Sequence, residues 1–95
     1  MRVLNIYKAQ KGLIKVSADV DDGHIHGIQI TGDFFMYPED ALPRLEHNLT
    51  GVKLDQQEIT GIIERFYSNG VQTPSMTKED LINAIMGVKN AGKAP

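Results

Sequence analysis

Gly12-Leu13-Ile14-Lys15-Val16-Ser17-Ala18-Asp19-Val20, then Asp21-Asp22-Gly23, then His24-Ile25-His26-Gly27-Ile28-Gln29-Ile30-Thr31 is the stretch on which the fold turns. In its first part Ile14, Val16, Ala18 and Val20 point one way while Lys15, Ser17 and Asp19 point the other. That is the period-two pattern of a strand burying one face. Asp21-Asp22-Gly23 supplies turn chemistry, because Asp tolerates tight local conformations and Gly accepts positive φ. A hairpin is predicted. Beyond the turn the apolar parity switches between Ile25 and Ile28/Ile30, and a bulge at Gly27 returns all three isoleucines to the buried face. Alternation over the first third of the chain predicts three strands in all.

Downstream the period lengthens to that of helices. Pro38 suits a first helical position, and Leu42, Leu45 and Leu49 follow at spacings of three and four, closing at Gly51 as the C′ residue. Pro43 implies a late start or a distorted first turn. Asp55-Gln56-Gln57-Glu58 has the pattern of a capping box, followed by an apolar stripe of Ile59, Ile62, Ile63, Phe66 and Tyr67 and a stop at Asn69-Gly70. Thr77 caps a third helix, with Glu79 and Asp80 in its first turn and Leu81, Ile82, Ile85, Met86 and Val88 on its apolar side. Strands first and helices afterwards is the α+β order. It predicts an antiparallel three-stranded sheet with about three helices packed on one face.

A chain of 95 residues has room for one core, so a single domain over residues 1–90 is expected, with a frayed tail at Ala91–Pro95. The absence of cysteine removes disulfides, thiolate nucleophiles, thiolate metal sites and iron–sulfur ligation. With a net charge of −2 and cations scattered among carboxylates, no basic stripe is available for nucleic acid. No apolar run is long enough for a bilayer, and Met1-Arg2-Val3-Leu4-Asn5-Ile6-Tyr7-Lys8 lacks the pattern of a secretory signal. A cytoplasmic protein is expected, and the sequon at Asn48-Leu49-Thr50 is read as accidental.

Catalytic, cofactor-binding and metal-ligating residues are not assigned to this chain. Asp21, Asp22, His24 and His26 have metal-donor chemistry, but a turn needs Asp and Gly in any case and no second cluster completes a ligand set. His47 falls near a helix C-terminus, where positive charge is favourable. Lys8, Lys11 and Lys15 read as a solvated strand face, with the further ability to reach a phosphate held by another protein. Gly32-Asp33-Phe34-Phe35-Met36-Tyr37 needs a stronger reason, since a plain linker has no use for so many large apolar residues ahead of a proline. Either Phe34 or Phe35 plugs the core with Asp33 capping the bend, or one aromatic and Asp33 face a partner. Alternation along the chain makes the two readings compatible.

The same segment resembles the C-terminal accessory domain of lipoate–protein ligases. The resemblance runs from Lys8 through Gly12-Leu13-Ile14-Lys15-Val16 and Gly23-His24-Ile25 to Gly32-Asp33-Phe34-Phe35. It continues over Leu45-Glu46 and Leu49-Thr50-Gly51 to Thr77-Lys78-Glu79-Asp80-Leu81, and departs at Lys11, where the family pattern has glycine or a small apolar residue. It implies a fold similar to the iron–sulfur scaffold type. It also implies a small accessory subunit of a two-chain ligase whose partner, the catalytic subunit, activates lipoate with ATP to lipoyl-adenylate before acyl transfer to a lysine of an acceptor domain. Lipoate, ATP and Mg are implied at that partner and none at this chain alone. Lipoyl acceptor domains are a second candidate partner. The expected subunit contacts are Gly32, Asp33, Phe34, Phe35 and Lys11. The alternatives are a free-standing module for the acceptor domain, a cysteine-less relative of iron–sulfur scaffold proteins, and a small metal enzyme built on His24 and His26.

Overall fold

The computed structural model describes residues 1–90; the tail expected at Ala91–Pro95 lies outside the described residues. Strands β1 (Arg2–Ala9), β2 (Gly12–Asp21) and β3 (His24–Gly32) form one antiparallel sheet in the order β1-β2-β3. Helices α1 (Ala41–Leu49), α2 (Gln56–Ser68) and α3 (Lys78–Met86) follow, and a 3₁₀ turn covers Gly87–Asn90. This is the α+β architecture predicted from the order of periodicities. Among the described residues no helix is long and apolar enough to cross a membrane.

The β2–β3 turn has Asp22 at φ 51° and Gly23 at φ 74° between the paired residues Asp21 and His24. Two successive left-handed residues make the type I′ connection whose twist matches that of the strands. Opposite Asp19 and Val20 the register jumps from Gly27 to Ile25, which leaves His26 as the extra residue of a bulge, one position before the Gly27 at which it was expected. Ile25 and Ile30 are thereby fully buried and Ile28 packs half-buried against the same core, as the parity switch requires.

All three helices cover one face of the sheet. Val3, Ala9, Ile14, Val16, Ala18, Ile25 and Ile30 meet Leu45, Leu49, Ile59, Ile63, Leu81 and Ile85 in one continuous core. α1 lies against β3, α3 against β1 and β2, and α2 packs on the other two helices. The free edge of β3 is closed by hydrogen bonds rather than by another strand. Ile30 N donates to Glu46 Oε2 at 2.7 Å, Ile25 N to Val52 O at 2.9 Å and Leu54 N to Gly23 O at 2.7 Å. On β1, Asn5 Nδ2 donates to Ala84 O at 2.9 Å and the Tyr7 hydroxyl to Asp80 Oδ1 at 3.3 Å, so α3 is pinned to the sheet at both ends.

Two helix boundaries differ from the sequence reading. Pro38 is not helical: α1 begins at Ala41, the late start that Pro43 implied, which makes Pro43 the third helical residue. Amides in the first turn have no intrahelical acceptor, so Pro43 costs least there, whereas a start at Pro38 would have placed it where its N–H is needed. α3 ends at Met86, and the buried Val88 belongs to the 3₁₀ turn. There the Asn5 amide fills the space beside Gly87 that a Cβ would need. The expected capping box at α2 supplies the bond from Glu58 N to Asp55 Oδ2 at 3.3 Å, while the full reciprocal box is found at α3 between Thr77 and Asp80. Gly51 (φ 86°) and Gly70 (φ 87°) end α1 and α2 as expected.

Two close approaches fix how the chain leaves the sheet. Gly32 has φ 146° and lies so near the Leu13 carbonyl that no Cβ fits, and a Cβ on Gly12 would stand 2.6 Å from Asp33 O. Asp33 N donates to Leu13 O at 2.9 Å. The loop joining α2 to α3 is held by a second device. The Tyr67 hydroxyl lies 2.7 Å from Thr73 Oγ1, and Thr73 donates onward to Met76 O at 3.0 Å, so the phenol is the donor in the first bond.

Gly32→Ala is expected to lower unfolding free energy by at least ~2 kcal/mol, read from urea midpoints. Gly27→Ala, at a glycine with nothing within 4 Å of a Cβ, should shift it by under ~0.5 kcal/mol. Tyr67→Phe should cost ~1 kcal/mol at neutral pH through the lost hydrogen bond. Burial raises the Tyr67 phenol above its ordinary value against the lowering effect of Thr73. The unfolded chain therefore releases this proton first as pH climbs past about 10, and stability falls there. Denaturation of wild type and Tyr67→Phe between pH 7 and about pH 10.5 should show a shallower loss in the variant.

Candidate functional site

Three pieces of chain meet at the end of the sheet where β2 begins: the β1–β2 turn with Gln10 and Lys11, the crossover Gly32–Tyr37, and the loop from Val71 to Thr77. The turn is built without a left-handed residue at Lys11, whose φ is negative, so the departure from glycine there is tolerated by the backbone. Gly12 then lets the crossover pass over the start of β2 at van der Waals distance.

The crossover is an extended run that alternates. Phe34 and Met36 pack against the core, while Phe35 is 64% exposed and Tyr37 50% exposed. Each outward residue is held by its amide. Phe35 N donates to Ser75 Oγ at 3.2 Å, and Tyr37 and Gln72 exchange two backbone bonds at 2.9 and 3.0 Å. The two exposed rings therefore stand on a backbone braced against the α2–α3 loop. Lys11, Ser75 and Asp80 line a neighbouring hollow of about 160 Å³, which brings the lysine to the same end as Phe35.

Of the residues singled out from the sequence, Gly32, Asp33, Phe34, Phe35 and Lys11 are thus gathered in one region, with different parts to play. Gly32 is required by the backbone, and Phe34 belongs to the core. Asp33, Phe35 and Lys11 are exposed. The bend is tied by the Asp33 amide rather than capped by its carboxylate, because Leu13 presents a carbonyl, to which an N–H donates and an ionised carboxylate cannot. Tyr37, Gln72 and Ser75 are participants that the sequence reading missed. Continuing the alternation past Phe35 would have found Tyr37, but Ser75 lies 40 positions from Phe35 and nothing local signals it.

His24 and His26 lie at the other end of the sheet. His24 Nδ1 donates to Asp22 O at 2.9 Å, and His26 is the exposed bulge residue. Among the described residues no group of three or more His, Asp or Glu is placed to hold a metal ion. His47 is exposed in the last turn of α1. What the crossover end offers chemically is two aromatic rings, an ammonium and a carboxylate on a rigid base. Such a set binds a surface by apolar burial and charge.

The chain is similar to known proteins in both sequence and fold. The most similar relatives include lipoate-protein ligase A subunit 2 of Thermoplasma acidophilum, 48% identical over 79 residues, which are 83% of this chain and 82% of that protein. Among solved structures, a chain from an archaeal lipoylation system of Thermoplasma acidophilum superposes with a TM-score of 0.83 and 46% identity, covering 90% of this chain and 94% of that one. The system is described as a bi-partite lipoate protein ligase and its E2 lipoyl domain. Residues 2–85 match the family model of the bacterial lipoate protein ligase C-terminus, and the chain belongs to that family.

Proposed function

We propose that this chain is the non-catalytic accessory subunit of a two-chain lipoate–protein ligase, which docks through its crossover end onto the catalytic subunit. The observation that carries the reading is the pair Phe35 and Tyr37, exposed yet held by hydrogen bonds on a braced backbone, in a chain so similar to the second subunit of a bi-partite ligase. Rigid exposed aromatics are the side chains that gain most from burial against a partner, because little conformational freedom is lost on docking.

The catalytic subunit joins lipoate and ATP, releasing pyrophosphate and forming lipoyl-adenylate, and the acyl group then passes to a lysine of an acceptor domain. An acyl-adenylate is open to attack by water, so the first step benefits from a closed, water-poor site. An accessory subunit contributes to that by holding the closed arrangement of its partner, which needs shape complementarity rather than a nucleophile. Phe35 and Tyr37 act as anchors, while Lys11 and Asp33 set orientation by charge. Lipoate and ATP with its Mg belong to the partner. Consumption of ATP and the absence of cysteine fit a cytoplasmic site of action.

Lipoate-dependent pyrophosphate release by the matching catalytic subunit should require this chain. Equal release without it would remove the accessory role and redirect attention to the acceptor domain. In calorimetric titration against the catalytic subunit, Phe35→Ala and Tyr37→Ala should each weaken binding by ~2 kcal/mol, about 30-fold, and Lys11→Ala and Asp33→Ala by ~1 kcal/mol or less.

A further inference from the structure

The helices cover only one face of the sheet, and the other face, polar over much of its area, carries large apolar residues at one place. Pairing of Val3 with Ala18, Asn5 with Val16 and Tyr7 with Ile14 assigns those residues to the inner face. The intervening pairs, Leu4 with Ser17, Ile6 with Lys15 and Lys8 with Leu13, are therefore on the open face. Ile6 is 55% exposed, Leu13 is 38% exposed, and Leu4 is partly exposed beside them. Leu13 and Ile6 are diagonal neighbours across the β1–β2 pair, close enough to form one apolar patch.

Cations surround this patch. Arg2, Lys8 and Lys15 share its face; of the two carboxylates that the alternation of β2 also places there, Asp19 is engaged by the Met1 amino group at 3.1 Å and Asp21 lies apart from the patch, beside the β2–β3 turn. A face of positive sign on a chain of net charge −2 is a directed feature. At its far end the patch runs into the crossover. Leu13 holds Asp33 through the 2.9 Å bond from the Asp33 amide, and Lys11 is two residues away in the turn.

We infer that the open face of the sheet, centred on Ile6 and Leu13, is the second half of the surface that seats the catalytic subunit, and that the matching partner surface is apolar with a rim of carboxylates. This rests on the accessory-subunit reading above. Continuity through Leu13 and Asp33 is one reason, and size is another. Three strands ~4.8 Å apart and about eight residues long at ~3.3 Å each span roughly 380 Å². That is about half of the ~800 Å² a stable complex covers on each partner, and the crossover end supplies an adjoining area. Charge argues against a second copy as the occupant. Two such faces brought together would set three cations, Arg2, Lys8 and Lys15, on each copy against a single uncommitted carboxylate, Asp21, on the other, so like charges outnumber complementary ones.

The test uses the full chain and its catalytic subunit in calorimetric titration, with Ile6→Ser/Leu13→Ser and Lys15→Glu as separate variants. Both sites are solvent-exposed, and unchanged thermal midpoints will show that the fold is kept. The double variant should raise Kd ~10-fold or more. Lys15→Glu should slow association and flatten its dependence on salt. If Phe35→Ala weakens the complex while the open-face variants bind like wild type, the face lies outside the interface and only the accessory reading survives. Variants that lose affinity only for a lipoyl acceptor domain, or lose only self-association in sedimentation, would assign the face to those occupants and overturn the proposal. Failure of the wild-type chain to bind the catalytic subunit at all would remove the accessory reading itself.

Discussion

Everything in this domain depends on burying one face of β2. Ile14, Val16 and Ala18 are at most 1% exposed, flanked on both sides by strands and covered by helices. A sheet of three strands has too little apolar surface to stand alone, so the inner face must be roofed. Because side chains alternate, covering one face of β2 also determines which residues of β1 and β3 go inward. The bulge at His26 follows from the same demand: without the extra residue, either Ile25 or the pair Ile28 and Ile30 would point to solvent. The helices supply the roof, each with apolar residues at spacings of three and four.

A sheet roofed on one side has two outlets for function, its bare face and its ends. At one end the chain must pass from β3 to α1, and it does so across the start of β2 rather than around it. Gly12 and Gly32 permit that passage by leaving no Cβ between the two backbones. The extended conformation forced on residues 33–37 then sorts the side chains, with Phe34 and Met36 into the core and Phe35 and Tyr37 to solvent. The same segment therefore serves packing and recognition, one alternate set of residues for each.

Hydrogen bonds to backbone do most of the positioning around this end. Ser75 and Gln72 brace the crossover, while Tyr67 and Thr73 hold the loop that carries them. Asn5 and Tyr7 fasten α3 to β1 from beneath. A rigid platform of this kind suits a subunit that acts by shape, since little conformational freedom is lost when it docks.

Strands, turn, bulge, helix caps and the identity of most core residues were legible in the sequence, because each is governed by spacings of two to four residues and by the conformational limits of Gly, Pro and Asp. Asp22-Gly23 announces a hairpin, Thr77 announces a helix, and Ile59 to Tyr67 announce a face without reference to anything distant. Pro38 misled because proline at a helix start and proline before a helix look alike locally, and only the position of Pro43 relative to the true first turn separates them. The Gly-Asp-Phe-Phe run could be marked as dual in purpose, but not resolved. Whether Phe34 or Phe35 turns inward depends on the height at which the crossover leaves the sheet. That height is set by Gly12 lying 20 positions from Gly32 and by Ser75 lying 40 from Phe35. Such contacts are the product of packed elements at a particular angle. Sequence alone determined the elements and their buried faces; the tertiary structure decided which residues it left outward together, because only packing brings distant residues onto one surface.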